Sequence, residues 1–128
     1  MKGRGEMTIT LIFPNGIRIL AEVARTSVEK TRGLMFRNTL EPCRGMLFVY
    51  ETMGLYPFWM HQVRIPLDMI WMDLDQRIVE IVSNARPCGV LPCPRYGGDE
   101  AAAFVLELAG GMAVGNGLKV GDRVEFAQ

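Results

Sequence analysis

The chain has 128 residues, 49% of them hydrophobic and 22% charged, with 14 basic side chains balanced by 14 acidic ones. That length suits one domain burying roughly 65–70% of its extended-chain surface, and the composition is that of a globular soluble protein rather than a disordered or membrane-spanning one. With no net charge there is no long-range field to gather nucleic acid or anionic lipid, so neither is expected as a partner.

Residues 1–6 carry two positive charges, but the apolar run behind them is interrupted by Thr8 and Thr10 and stops at Pro14, which does not read as a signal peptide. No stretch reaches the roughly 18 uninterrupted apolar residues of a membrane helix. The compartment stays open between the cytoplasm and export behind a removed leader.

Residues 8–13 alternate, Pro14-Asn15-Gly16 supplies turn chemistry, and residues 17–23 resume a strand pattern, so a hairpin is expected. Thr26 followed by Glu29 is a capping box, the hydroxyl accepting from one free helix N–H while the carboxyl reaches back to another. One short helix starts there and ends near Met35, because Gly33 costs about 1 kcal/mol relative to alanine inside a helix. Strand patterns then follow at 45–50, 58–63, 67–73, 77–82, 104–108 and 123–126, with short connections that favour antiparallel pairing. The expected fold is therefore α+β and mainly antiparallel β, a small barrel or sandwich with one short helix, spanning 1–128 as a single domain. Residues 87–98, rich in Gly and Pro, form the longest irregular piece, and such loops are often binding or lid elements.

Four pieces together resemble the domain-of-unknown-function family 192: Arg32-Gly33-Leu34-Met35, Gly45-Met46-Leu47-Phe48-Val49, the run 58–73, and Phe104-Val105-Leu106-Glu107-Leu108 leading to Gly121-Asp122. They cover the chain from about residue 22 to 126. The resemblance implies an uncharacterised bacterial or archaeal protein with a compact antiparallel β domain and one helix, sometimes behind an export signal, and it implies no activity. The family typically has Trp-Met followed by a Lys-like polar residue and Asn, where this chain has His61-Gln62, so nothing is transferred to those two positions. The Pro-Cys and Cys-Pro pairs around Cys88 and Cys93 resemble those of many members.

Alternation along 58–63 would put Trp59, His61 and Val63 on one strand face and Phe58, Met60 and Gln62 on the other. The next strand divides into Leu67, Met69, Trp71 and Asp73 against Asp68, Ile70 and Met72. Neither strand has a solvated side, so something covers each face. The leading expectation is a non-enzymatic binding or accessory module whose groove lies near Trp59, His61 and Asp68. Trp59 and Trp71 would flank a small ligand such as a sugar, with Arg32 and Tyr96 also lining the groove. The plainer alternative packs both tryptophans into the core. A different class is an interaction subunit or homo-oligomer whose second apolar face is covered by another chain.

Arg32 falls in the helix's apolar stripe and would pair with Asp68 or snorkel along the surface. Cys88 and Cys93 admit a disulfide in an oxidising compartment or, with Cys43 and His61, a Cys3His metal set. A cysteine enzyme would need Cys43 activated by His61 and oriented by Asp68. Nine methionines, among them Met53, Met60, Met69 and Met72, read as core filling rather than copper ligands. The sequence has no nucleophile elbow, phosphate loop or dinucleotide fingerprint, and no cofactor is expected.

Overall fold

In the computed structural model, which describes residues 7–127, β1 (Thr8–Ile12) and β2 (Arg18–Ala24) form the expected antiparallel hairpin, with Ile12 opposite Arg18. Asn15 Oδ1 accepts from the Ile17 N–H at 3.0 Å, and Gly16 takes φ 89°, the left-handed turn that glycine adopts without a steric penalty. The reading of residues 1–6 lies outside the described residues.

The capping box starts α1 (Ser27–Arg32). Thr26 Oγ1 accepts from the Glu29 N–H at 3.1 Å, and Glu29 Oε1 accepts from the N–H groups of Thr26 and Arg25 at 3.0 and 2.8 Å. These backbone bonds hold the Glu29 carboxyl below the usual carboxylate range. Gly33 closes the helix at φ 46°, two residues before the expected end, and Leu34 behind it is buried. The chain then returns as β3 (Arg44–Gly54), which pairs parallel with β2. This is the exception to the expected antiparallel pairing, since the helix and its loop provide the crossover that a parallel neighbour requires.

All other pairings between the named strands are antiparallel. They link β5 (Leu67–Met72), β6 (Ile78–Ala85), β8 (Ala102–Ala109) and β9 (Glu125–Ala127) into one seven-stranded sheet of order β6-β5-β8-β3-β2-β1-β9. The class is α+β with mainly antiparallel strands, and the sheet is not a closed barrel. Its edges β6 and β9 belong to opposite ends of the strand order, and the segments leading into them meet at one corner. There Arg77 bridges Arg123, Ile78 donates to the Asp122 carbonyl at 2.8 Å, and the Ile78 carbonyl accepts from Gly121 at 2.8 Å.

All six residues of β5, which lies between β6 and β8, are buried. Ile70 and Met72 join Leu106, Leu108, Leu11 and Ile19 in one core. Leu67, Met69 and Trp71 join Val105, Phe48 and Leu34 in the other. Both apolar faces are thus covered from within the chain. The first core also takes Ala113 from α2 (Met112–Gly115), a one-turn helix that sequence patterning missed.

The run 58–63 departs from expectation. Only β4 (Phe58–Trp59) is extended, and it pairs with β7 (Arg95–Tyr96) in a separate two-stranded sheet. Gln62 has φ 63°, and the Val63 N–H turns back to the Met60 carbonyl at 3.0 Å. His61 is instead bridged to Cys88, so the two-face alternation does not apply beyond Trp59. Met60, Met69 and Met72 are fully buried core residues, whereas Met53 is exposed. Among the described residues no helix is long and apolar enough to cross a membrane.

Candidate functional site

A cleft of about 340 Å³ opens between α1 and the β4–β7 sheet, with β3 and β8 beneath it. The short helix supplies Lys30 and Arg32 along one side, and β4 and β7 supply Phe58, Trp59 and Arg95 along the other. The β4 side is fixed by aromatic packing. Phe58 meets Phe48 edge-on at 4.8 Å and Trp71 at 6.0 Å, while Trp59 and His61 sit with ring centroids 5.0 Å apart. Gly97, at φ 66°, lies so close to Trp71 that a Cβ would fall 2.2 Å from the indole, which lets the strand carrying Arg95 close down beside β4.

Tyr50 of β3 stacks on Tyr56 at 3.7 Å with 13° between planes, and Lys30 Nζ lies 3.9 Å from the Tyr50 centroid. Burial, assisted by Tyr56 and Glu107, pushes the Tyr50 hydroxyl up to about 12, and burial lowers Lys30. The deepest polar group is Glu107. Strand alternation turns it to the Val105 side of β8, away from Leu106 and Leu108. It is 3% exposed and has no hydrogen-bond or ion-pair partner among the described residues. No side-chain oxygen in the described core is both sealed from solvent and unbonded, so the Glu107 carboxyl opens onto the cleft. Desolvation raises it to about 8, which leaves it mostly uncharged at neutral pH.

Of the residues expected to line a groove, Arg32, Trp59 and His61 do come together at this cleft. Tyr96 pairs with Phe58 and packs on the core beside the cleft without lining it. Trp71 and Asp68 are corrections. Trp71 is fully buried, its indole N–H donating to the Tyr56 carbonyl at 2.8 Å. Asp68 is fully buried and accepts from the backbone N–H groups of Asn84, Gly111 and Ala113 at 2.8, 3.1 and 2.7 Å. It therefore ties β5 to β6 and α2 instead of pairing with Arg32, whose side chain is exposed at the cleft.

Cys88 and Cys93 form a disulfide, and Cys43 is free and exposed. The Cys43, His61, Cys88, Cys93 metal set is not assembled, and no group of three or more potential metal-ligating side chains gathers among the described residues. The Cys43–His61–Asp68 triad is likewise not formed, since Asp68 is consumed by backbone donors and Cys43 does not line the cleft. Sequence reasoning missed Glu107, Tyr50, Lys30 and Arg95. The available signal was Glu107 itself, the one charged residue in the apolar strand β8.

The chain matches the domain-of-unknown-function family 192, described as an uncharacterized ACR, over residues 10–126. That span takes in the hairpin from Thr10 as well as the pieces read from the sequence. A crystal structure of a protein of unknown function from Novosphingobium aromaticivorans is similar at 36% identity and TM-score 0.83, covering 98% of this chain and 89% of that one. Another, named as a candidate transcription regulator from Sinorhizobium meliloti, is similar at 31% identity and TM-score 0.82, covering 94% and 93%. A search of the curated proteins gives no match. With this fold, this span and these relatives, the chain belongs to the domain-of-unknown-function family 192.

Proposed function

We propose that the chain is a non-enzymatic binding module for a small polar–apolar ligand such as a sugar, seated in the cleft beneath Trp59. The observation that carries this reading is Glu107, a nearly buried carboxyl that has no hydrogen-bond or ion-pair partner among the described residues and opens onto an aromatic cavity. A carboxyl so desolvated costs stability unless something outside the chain uses it. About 340 Å³ lies at the lower end of small-molecule sites, enough for a single ring. One carboxyl does not supply the acid and base pair that hydrolyses a glycosidic bond, which favours capture over turnover.

Trp59 is 44% exposed while Trp71 is buried, so a ligand in the cleft would change the emission of Trp59 alone. Titration with a panel of neutral and acidic mono- and oligosaccharides should give a saturable change that Trp59→Phe abolishes. A flat response to every sugar removes the sugar version of this reading.

A second reading, an interaction subunit or homo-oligomer, has its own support. Val28 and Phe36 are 72% and 55% exposed around an apolar hollow on the outer side of α1. Light scattering discriminates: a concentration-dependent dimer lost in Phe36→Ser favours association, and a monomer at all concentrations removes it.

A further inference from the structure

Resting on the ligand-binding reading, the chemistry of the cleft is more specific than its shape. Its mouth carries Arg32 on the helix side and Arg95 on the opposite side, both exposed and neither in an ion pair among the described residues, with Lys30 on the helix side as well. Its floor carries the Glu107 carboxyl, which has no hydrogen-bond or ion-pair partner among the described residues. Between them lie the aromatic edges and faces of Phe48, Phe58 and Trp59. The cleft is thus cationic outside, apolar in the middle and polar at the bottom.

We infer that the cleft takes an acidic monosaccharide, its anionic substituent held at Arg32 and Arg95 and a ring hydroxyl accepting a hydrogen bond from the Glu107 carboxyl. A guanidinium pair recognises carboxylate and phosphate alike, so the anion can come from a uronate or a sugar phosphate. The apolar face of a pyranose ring matches the aromatic middle. Glu107 acts as a donor only while it holds its proton; once ionised it can only accept from the ligand's hydroxyl, and its negative charge then lies in the same cleft as the ligand's anionic group. Burial supports the proton-bearing form at neutral pH. The other titratable groups around the cleft are Lys30 and Arg32 from α1, Tyr50 from β3, His61 after β4, and Arg95 from β7.

Calorimetric titration of the full chain with glucuronate, glucose phosphate and glucose tests this. The tighter acidic sugar should bind at least about tenfold more strongly than glucose, and Arg32→Gln or Arg95→Gln should each weaken it about fivefold or more and narrow its advantage over glucose. Whichever acidic sugar binds tighter identifies the anion. Glu107→Gln keeps a neutral donor and should retain binding within about threefold, whereas Glu107→Leu should lose about tenfold or more. Wild-type affinity should fall between about pH 6.5 and about pH 9.5, and the affinity of Glu107→Gln should not.

Glucose binding as tightly as both acidic sugars overturns the anion assignment while leaving a sugar-binding cleft intact. Glu107→Gln retaining the wild-type fall with pH overturns the role given to Glu107. No heat from any of the three sugars overturns this inference, and the panel titration then decides the broader reading separately.

Discussion

Two acidic residues lie buried in neighbouring strands of the same sheet, and their surroundings differ completely. Asp68 in β5 is fully buried and receives three backbone N–H groups, so its burial is compensated and it serves as a knot between β5, β6 and α2. Glu107 in β8 is almost as buried, receives none, and opens onto the cleft, where desolvation raises it to about 8. A satisfied buried acid is architecture, whereas an unsatisfied one bordering a cavity is a cost that folding alone does not explain. The difference identifies which of the two is available for recognition.

The largest expected effect is at the satisfied site. Asp68→Ala strands three N–H groups, of which that of Ala113 is the most buried, and should destabilise the fold by about 3–5 kcal/mol in chemical denaturation. Asp68→Asn keeps one acceptor oxygen and should lose less. A loss no greater than that of a surface substitution would mean the three bonds contribute little, and the contrast would fail.

Glu107 should behave in the opposite way. Its folded-state pKa is raised from 4.5 to about 8, so the folded chain keeps a proton that the unfolded chain releases across that window. The associated stability is fully present below about pH 4.5, is lost progressively as pH rises, and levels off above about pH 8. Glu107→Gln should remove this slope and stabilise the protein by about 2–4 kcal/mol at alkaline pH, read as the difference between the two denaturation curves. A variant less stable than wild type at every pH would reveal a hidden partner for the carboxyl.

A smaller effect is expected in the cleft wall. The Gln62 N–H donates to the Cys88 carbonyl at 3.0 Å, and β7 begins two residues after Cys93, so the disulfide loop braces both His61 and Arg95. Replacing both cysteines with serine should cost about 2 kcal/mol, the chain-entropy value for so short a loop. Hydrogen exchange should quicken at residues 58–62 and 95–96 while the amides around Asp68 stay protected. Equal loosening at both places would show that the two regions are not mechanically separate.

Much of the fold could be read from the residues. Asn15-Gly16 defined the hairpin, Thr26 and Glu29 marked the start of α1 to the residue, and the run 67–72, apolar on both faces apart from Asp68, pointed to a strand covered on both faces. The parallel pairing of β2 with β3 could not be read, because it depends on where the crossover returns the chain. Gln62 was misread as strand because its positive φ is imposed by the bridge between His61 and Cys88, a contact across 27 residues of sequence. The cleft was half legible. Arg32, Trp59 and His61 stood out by type, but Asp68 drew attention for the same reason that Glu107 escaped it. A carboxyl in an apolar strand looks the same in sequence whether three amides or a cavity await it.

The corner where Arg77 meets Arg123 has one more consequence. Ile78 already spends its outward N–H and carbonyl on Asp122 and Gly121, so an incoming chain cannot begin a continuous ladder at that end of β6. Edge-to-edge growth into fibrils is blunted at that point, and any self-association of the protein is steered toward side-chain surfaces such as the one around Val28 and Phe36.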